Sequence, residues 1–127
     1  MAQSGMNPNT IINRYCQSAL HISIEKGFLE QARLLISCGV NLNFQDFQGK
    51  TPLGLAAWYD HTELAKHLLQ SNADVNLVDQ WEQTPLHKAC GKGNIAIVNT
   101  LLEHGANTEI VSKNGYTALH IAAISGK

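Results

Sequence analysis

The stretch Thr84-Pro85-Leu86-His87-Lys88-Ala89 decides the fold, because variants of it recur along the chain at a fixed distance. Its first four residues align with three other segments. These start 33 residues apart, without insertion or deletion, and read Ser18-Ala19-Leu20-His21, Thr51-Pro52-Leu53-Gly54 and Thr117-Ala118-Leu119-His120. A constant period of this length indicates that one small structural unit is stacked repeatedly along the chain.

Each unit is predicted to begin with a short helix. Thr51, Thr84 and Thr117 stand where a threonine can cap a helix N-terminus. Pro52 and Pro85 occupy the first helical position, where the missing N–H of proline costs nothing. The helix is expected to run about eight residues and to end at a residue that tolerates a left-handed backbone. These residues are Gly27, Asp60, Gly93 and Gly126.

A second helix is predicted to follow in each complete unit. Apolar residues at helical spacing, such as Leu64, Ala65 and Leu68, give it one buried face. It is expected to stop at Gly39, Asn72 and Gly105. The chain then returns through an extended turn, marked in one unit by Asp46 and Gly49. Glu82 replaces the turn glycine in the next unit, which leaves the geometry of residues 80–83 open.

Two helices this short are marginal in water alone, so the units must stack on one another. The period and the Thr-Pro-Leu-His-x-Ala pattern of residues 84–89 resemble the ankyrin repeat. The resemblance covers about residues 11–127 and implies an all-α ankyrin-repeat solenoid. Three full helix-turn-helix repeats (about 18–50, 51–83 and 84–116) and a half repeat (117–127) are expected, with β-turn or hairpin-like connections. We call them repeats one to four.

The two ends of the chain depart from the pattern. Residues 1–10 are predicted to be a flexible tail, and Met6 marks part of residues 1–5 as a candidate expression remnant. Repeat one has Ser18-Ala19 in place of Thr-Pro, as expected of a terminal repeat. Repeat four stops before a second helix, so further repeats or domains are expected C-terminal to it in the native chain.

Composition excludes several classes of protein. With 9 Lys+Arg and 10 Asp+Glu, the net charge of −1 argues against a strongly basic nucleic-acid clamp. No apolar stretch is long enough to cross a bilayer, and the first twenty residues do not resemble a signal peptide. Three widely spaced cysteines fit neither a disulfide framework nor a zinc site. These features predict a soluble cytoplasmic or nuclear protein without a membrane partner.

No catalytic residue, metal ligand or cofactor is predicted. His21, His87 and His120 recur at one repeat position, which indicates a structural imidazole that bonds the adjoining turn. His61, His67 and His104 are expected to be solvated on the second helices, and Cys90 to be a small buried apolar residue. Asn76 resembles the site of asparagine hydroxylation in animal ankyrin repeats, but turn hydrogen bonding explains it equally well.

The function is therefore expected to lie on a surface. The resemblance implies a concave face, lined by the turn tips and the first helices, that usually binds proteins. Six of the chain's aromatic residues map to that face, and large aromatics are frequent binding hot spots. The predicted partner-binding residues are Tyr15, Phe47, Lys50, Trp58, Tyr59, Trp81, Lys92, Lys113 and Tyr116.

The same face carries more lysine and arginine than acidic residues, while Glu30, Glu63 and Glu103 map to the back. The leading hypothesis is a non-catalytic protein-protein interaction module that binds an acidic or partly hydrophobic segment of a partner. One alternative is nucleic-acid or nucleotide binding, with bases stacked on the aromatics, which the modest charge disfavours. Another is a regulatory or targeting segment of a larger enzyme.

Overall fold

The computed structural model of this protein describes residues 19–126. Those residues form seven helices and no β-strand. The described part of α1 spans residues 19–26, and the others are α2 (Leu29–Ser37), α3 (Pro52–Trp58), α4 (Thr62–Gln70), α5 (Pro85–Lys92), α6 (Ile95–Glu103) and α7 (Ala118–Ser125). The predicted tail, residues 1–10, and the predicted site residue Tyr15 lie outside the described residues.

Threonine caps start the first helix of repeats two to four, as predicted. Thr51 Oγ1 accepts a hydrogen bond from Gly54 N at 3.1 Å. Thr84 caps α5 in the same way, and Thr117 caps α7. Pro52 and Pro85 begin their helices. The cap satisfies one of the backbone N–H groups that a helix leaves unpaired at its start, which fixes where each repeat begins to coil.

The helix ends also follow the sequence. Gly93 and Gly126 take left-handed backbone angles after α5 and α7. Asp60 and Asn72 adopt the same conformation with φ of 61° and 73°, although neither is glycine. Both residue types bear this conformation better than most, because their short polar side chains can hydrogen-bond locally.

The helices form two layers. The inner layer contains α3, α5 and α7 in succession, and the outer layer contains α2, α4 and α6, with each hairpin joining one helix of each kind. Leucines of the repeated motif, Leu20, Leu53 and Leu86, are buried between the layers with Leu64 and Leu68 of α4. The predicted all-α solenoid is therefore confirmed, and its core runs along the stack.

The turns between repeats share one hydrogen-bonding scheme. At the end of repeat one, Asp46 Oδ1 accepts from Gln48 N and Lys50 N, and at the end of repeat two Asp79 Oδ1 accepts from Trp81 N and Gln83 N. Neighbouring turns are joined by main-chain bonds, because Gln80 N donates to Gln48 O at 3.0 Å and Lys113 N donates to Trp81 O at 2.9 Å. The connections are thus hairpin-like, as expected.

Two positions show how closely these turns approach. A Cβ atom at Gly49 would stand 3.0 Å from the main chain of Asp79, and the φ of Gly49 is 78°. Glycine is therefore required there. Glu82 keeps the same turn with a φ of 59°, and its N–H donates to Asp79 O at 2.8 Å. Residues 80–83, whose geometry the sequence left open, therefore form the same turn as residues 47–50. Glutamate disfavours the left-handed conformation that residue 82 adopts in this turn.

Polar side chains tie adjacent repeats together outside the core. Asn43 Oδ1 accepts from Asp74 N, and Asn76 Oδ1 accepts from Asn107 N, so the Asn76 side chain bonds the next repeat. His61 is not solvated as predicted: its Nε2 donates to Ile24 O of the preceding repeat at 3.1 Å. That expectation was wrong because residue 61 precedes α4 and lies beside the last turn of α1 in the preceding repeat, a contact that no helical period reveals.

Every helix among residues 19–126 is too short to span a lipid bilayer.

Candidate functional site

A groove of about 440 Å³ opens between repeats two and three, where the turns meet the start of α3 and α5. We call it the inter-repeat groove. Its volume lies within the range of sites that bind small molecules or side chains. It is lined by Gly49, Lys50, Thr51, Gly54, Leu55, Trp58, Leu77, Asp79, Trp81, Gln83, Thr84, Pro85 and Lys88.

Two tryptophans and two lysines line the groove, and a third lysine, Lys92, lies beside it. Trp58 ends α3 and Trp81 sits in the following turn, and each indole is somewhat more than two-fifths exposed. Lys88 Nζ lies 5.9 Å from the Trp58 ring centroid and 5.5 Å from that of Trp81, so it stands between them. Lys92 Nζ is 4.2 Å from the Trp58 centroid, and Lys50 Nζ is 6.0 Å from that of Trp81. Cation–π attraction therefore holds both indoles in place.

The floor of the groove contains a buried ion pair. Asp79 Oδ1 accepts the two turn N–H groups described above, and Asp79 Oδ2 faces Lys88 Nζ at 2.5 Å. Lys88 Nζ also donates to Gln83 Oε1 at 3.1 Å. Because a buried charge is tolerated only when it is paired, Asp79 fixes Lys88 between the tryptophans. The floor is therefore rigid and electrically neutral.

The rim of the groove keeps a positive charge. Within residues 19–126, Lys50 and Lys92 have no carboxylate within ion-pair distance. On the outer helices, by contrast, Glu30 pairs with Arg33 and Glu63 pairs with Lys66. The acidic residues of the back are thus partly neutralised, and the unpaired lysines lie beside the tryptophans. An incoming acidic group would meet two cations here.

The repeated histidine shapes the wall of repeats one and three. In repeat three, His87 is buried, its Nε2 donates to Tyr116 O at 2.9 Å, and its Nδ1 accepts from Thr84 N at 3.1 Å. In repeat one, His21 Nε2 likewise donates to Lys50 O at 2.8 Å. These contacts confirm the predicted structural role. Repeat two has Gly54 at this position, and Gly54 lines the groove.

Burial alters the pKa of two groups near this wall. It lowers the pKa of His87 below its ordinary 6.5, against the opposing effects of the Tyr116 carbonyl and of Asp79, while Lys88 adds to the decrease. The His87 imidazole is therefore held neutral, as its accepting Nδ1 requires. Burial also raises the pKa of the Cys90 thiol, which disfavours a reactive thiolate. Cys90 is half-buried, where full burial was expected.

The structure gathers some of the predicted site residues and separates others. Lys50, Trp58 and Trp81 line the groove, and Lys92 lies on the outer side of Trp58. Tyr59 sits in a shallow recess beside the groove, its ring stacked on His61 at 6.3 Å. The remaining three described residues lie away from the groove: Phe47, Lys113 and Tyr116.

The separated residues differ in their surroundings. Phe47 projects from its turn, 93% exposed. Tyr116 packs its ring near that of His120 at 6.2 Å, and its carbonyl accepts from His87. Lys113 is exposed, and its main chain joins the Trp81 turn. The predicted set is therefore split between the groove and other parts of the turn face.

The groove residues that sequence reasoning missed include Gly54, Asp79 and Lys88. The repeat alignment shows glycine at residue 54 where the other repeats have histidine, and this difference could have indicated the space that the groove occupies there. The repeated turn acid, Asp46 and then Asp79, could have indicated the buried carboxylate. Nothing in the sequence places Lys88 between two tryptophans. In the described part of the chain, no three His, Cys, Asp or Glu side chains are grouped as a metal site.

Comparison with known proteins gives two findings. The family model described as ankyrin repeats, three copies, matches residues 2–79 and again residues 56–127. Protein phosphatase 1 regulatory subunit 12A of Mus musculus and that of Rattus norvegicus are each 39% identical to this chain over 49 residues. That segment is 39% of this chain and 5% of each relative, so the chain spans a small part of the curated relatives it matches.

Proposed function

Because the chain belongs to the ankyrin-repeat family, we propose that it is a non-catalytic module that binds a segment of a partner protein in the inter-repeat groove. Ankyrin repeats are a general protein-protein interaction module. The observation that carries the proposal is the groove itself, with Trp58 and Trp81 as walls and Lys50 and Lys92 unpaired at its rim. Aromatic residues set in a groove are typical anchors of protein interfaces.

The chemistry of the groove favours an acidic, partly hydrophobic partner segment. The exposed parts of the two indoles offer apolar surface at a low entropy cost, since two χ angles fix each indole. The rim lysines favour carboxylates and disfavour basic segments. The Asp79–Lys88 pair keeps the floor neutral, so the selectivity for charge comes from the rim. Tyr59 extends the aromatic surface past the end of α3.

A regulatory role is the second candidate, and the name of the relatives favours it. Both are regulatory subunits, and the match falls within this chain's repeat region. A chain of this kind would act by holding an enzyme or its substrate rather than by catalysis. The two proposals share one site, because a regulatory subunit also has to bind a protein.

A screen of a random peptide library and a pool of single-stranded oligonucleotides, each at 50 and 200 mM salt, tests the proposal. We expect acidic peptides with apolar residues to be enriched and to retain most of their affinity at the higher salt. Selective binding of oligonucleotides with a steep salt dependence would instead indicate a nucleic-acid interface. Failure to enrich peptides at either salt concentration would contradict the proposed function.

Replacing Trp58 and Tyr59 together by alanine locates the site. The double variant should bind an enriched peptide at least 30-fold more weakly, which corresponds to about 2 kcal/mol. Phe28→Ala is the matched control, because Phe28 is 54% exposed and does not line the groove. Thermal melts must accompany the titrations. A large fall in melting temperature for the double variant, or an equal loss of affinity in the control, would contradict the assignment of Trp58 and Tyr59 to the binding site.

A further inference from the structure

The wall of the inter-repeat groove contains a space that holds a histidine ring elsewhere in this chain. Gly54 is aligned with His21, His87 and His120. In repeat three, the ring of His87 bridges the Thr84 cap and the main-chain carbonyl of Tyr116, 29 residues further on. The same spacing joins His21 to Lys50 O. The space is therefore shaped and polarised for an imidazole.

The polar groups that would meet such a ring are present in repeat two. Gln83 stands 29 residues after Gly54 and lines the groove, as does Thr51. In the neighbouring repeats, the corresponding carbonyl accepts two hydrogen bonds: Tyr116 O accepts from Ser112 N and from His87 Nε2. Gln83 O, within the described residues, accepts the turn bond from Asp79 N alone.

The space is open as well as polar. A Cβ atom built at Gly54 would meet a single heavy atom beyond its own helix within 4 Å, Thr51 Oγ1 at 3.3 Å. Thr51 Oγ1 accepts from Gly54 N, and in repeat three the equivalent hydroxyl also pairs with His87 Nδ1 at 2.8 Å. The Thr51 hydroxyl has its proton available for such a contact. Gly54 and Thr51 are buried and line the inner end of the groove.

We propose that this space binds a histidine side chain of the partner segment, which supplies in trans the imidazole that repeat two lacks. The ring nitrogen Nε2 would donate to Gln83 O, and Nδ1 would accept from Thr51 Oγ1. This inference rests on the proposed function, since it names the anchor residue of the same bound segment. The rim lysines Lys50 and Lys92 favour acidic residues on either side of that histidine.

Other occupants fit the groups less well. An aliphatic side chain would fill the volume but would leave Gln83 O and Thr51 Oγ1 without the contacts that an imidazole provides. A methylated ammonium group would need a free indole face. Lys88 and Lys92 already stand over the rings, and a further cation would be repelled by them. A neutral imidazole has one donor for Gln83 O and one acceptor for the Thr51 hydroxyl, so it satisfies both groups.

The direct test is an NMR titration of the ¹⁵N-labelled protein with 4-methylimidazole, the side chain of histidine, at pH 8. The shape control is 3-methylthiophene, which has a similar ring without hydrogen-bonding nitrogens. We expect 4-methylimidazole to bind at least tenfold more tightly and to shift the amide signals of Gly54 and Gln83 and both indole N–H signals. Equal binding of the two rings, or shifts elsewhere in the protein, would overturn the inference.

Substitution of Gly54 gives a second, independent test. Gly54→His places the imidazole in cis and should abolish the titration response. It should also melt several degrees above Gly54→Ala, which gains more helix propensity than histidine does but no ring contacts. If Gly54→His melts below Gly54→Ala, the space does not fit an imidazole and the inference fails. This result is independent of the NMR titration.

The peptide library separates this inference from the proposed function. The wild-type protein should enrich peptides with a histidine among acidic residues. Gly54→His should still enrich acidic peptides but lose the preference for histidine. Enrichment of acidic peptides without histidine by the wild type would refute the histidine site and leave the interaction module intact. Failure to enrich any peptide would refute the proposed function instead.

Discussion

Replacing Leu86 by alanine should unfold the stack far more readily than the same change at Leu119. The two leucines occupy one repeat position, yet Leu86 is 3% exposed and Leu119 is 79% exposed. Leu86 belongs to α5, which packs on α3 and α7. The comparison therefore holds the chemistry and the helix position constant and changes the burial alone.

The expected magnitudes come from that burial. Leucine-to-alanine removes three carbons, and at about 0.8 kcal/mol for each buried carbon the transfer cost at residue 86 is about 2.4 kcal/mol. The cavity left between the helices adds to this, which brings the loss to about 3–4 kcal/mol. At residue 119 only about a fifth of the transfer cost applies, roughly 0.5 kcal/mol, and no enclosed cavity forms.

Urea unfolding followed by circular dichroism at 222 nm measures both variants. For a domain of this size, a loss of 3–4 kcal/mol corresponds to a fall in melting temperature of roughly 12–16 °C, against about 2 °C for Leu119→Ala. The slope of free energy against urea must stay constant for the comparison to hold. Equal losses at the two positions would refute the repeat register and the assignment of the core.

Three further predictions follow from single contacts. Glu82→Gly should raise the free energy of unfolding by about 0.5–1 kcal/mol, because it relieves the left-handed backbone at residue 82, and a loss of stability in urea would contradict this. Asn94→Ala should lower the free energy of unfolding by about 1–2 kcal/mol, since Asn94 Nδ2 donates to Ala57 O at 2.9 Å. Repeat two has His61 at the equivalent position, so Asn94→His should recover part of that loss. Below pH 6.5 the unfolded chain protonates residue 87 more readily than the folded protein does, so the free energy of unfolding measured in urea should fall on acidification, and His87→Gln should flatten that slope.

The sequence by itself determined the solenoid. A fixed period, threonine caps and glycine or asparagine stops are local signals, because each depends on the backbone preferences of one or two residues. Thr84 and Pro85 specify a helix start wherever the chain carries them. The structural role of His87 was also predictable, since its recurrence pointed to a repeated contact and not to a unique site.

The tertiary structure alone decided the site. Lys50, Trp58, Trp81 and Lys88 come from separate elements, and their distances depend on how one repeat is stacked on the next. Periodicity places a residue on a face, but it does not show which side chains of two repeats meet, because small rotations between repeats set those distances. The pairing of Asp79 with Lys88 and the opening beside Gly54 arise only when repeats two and three are in contact.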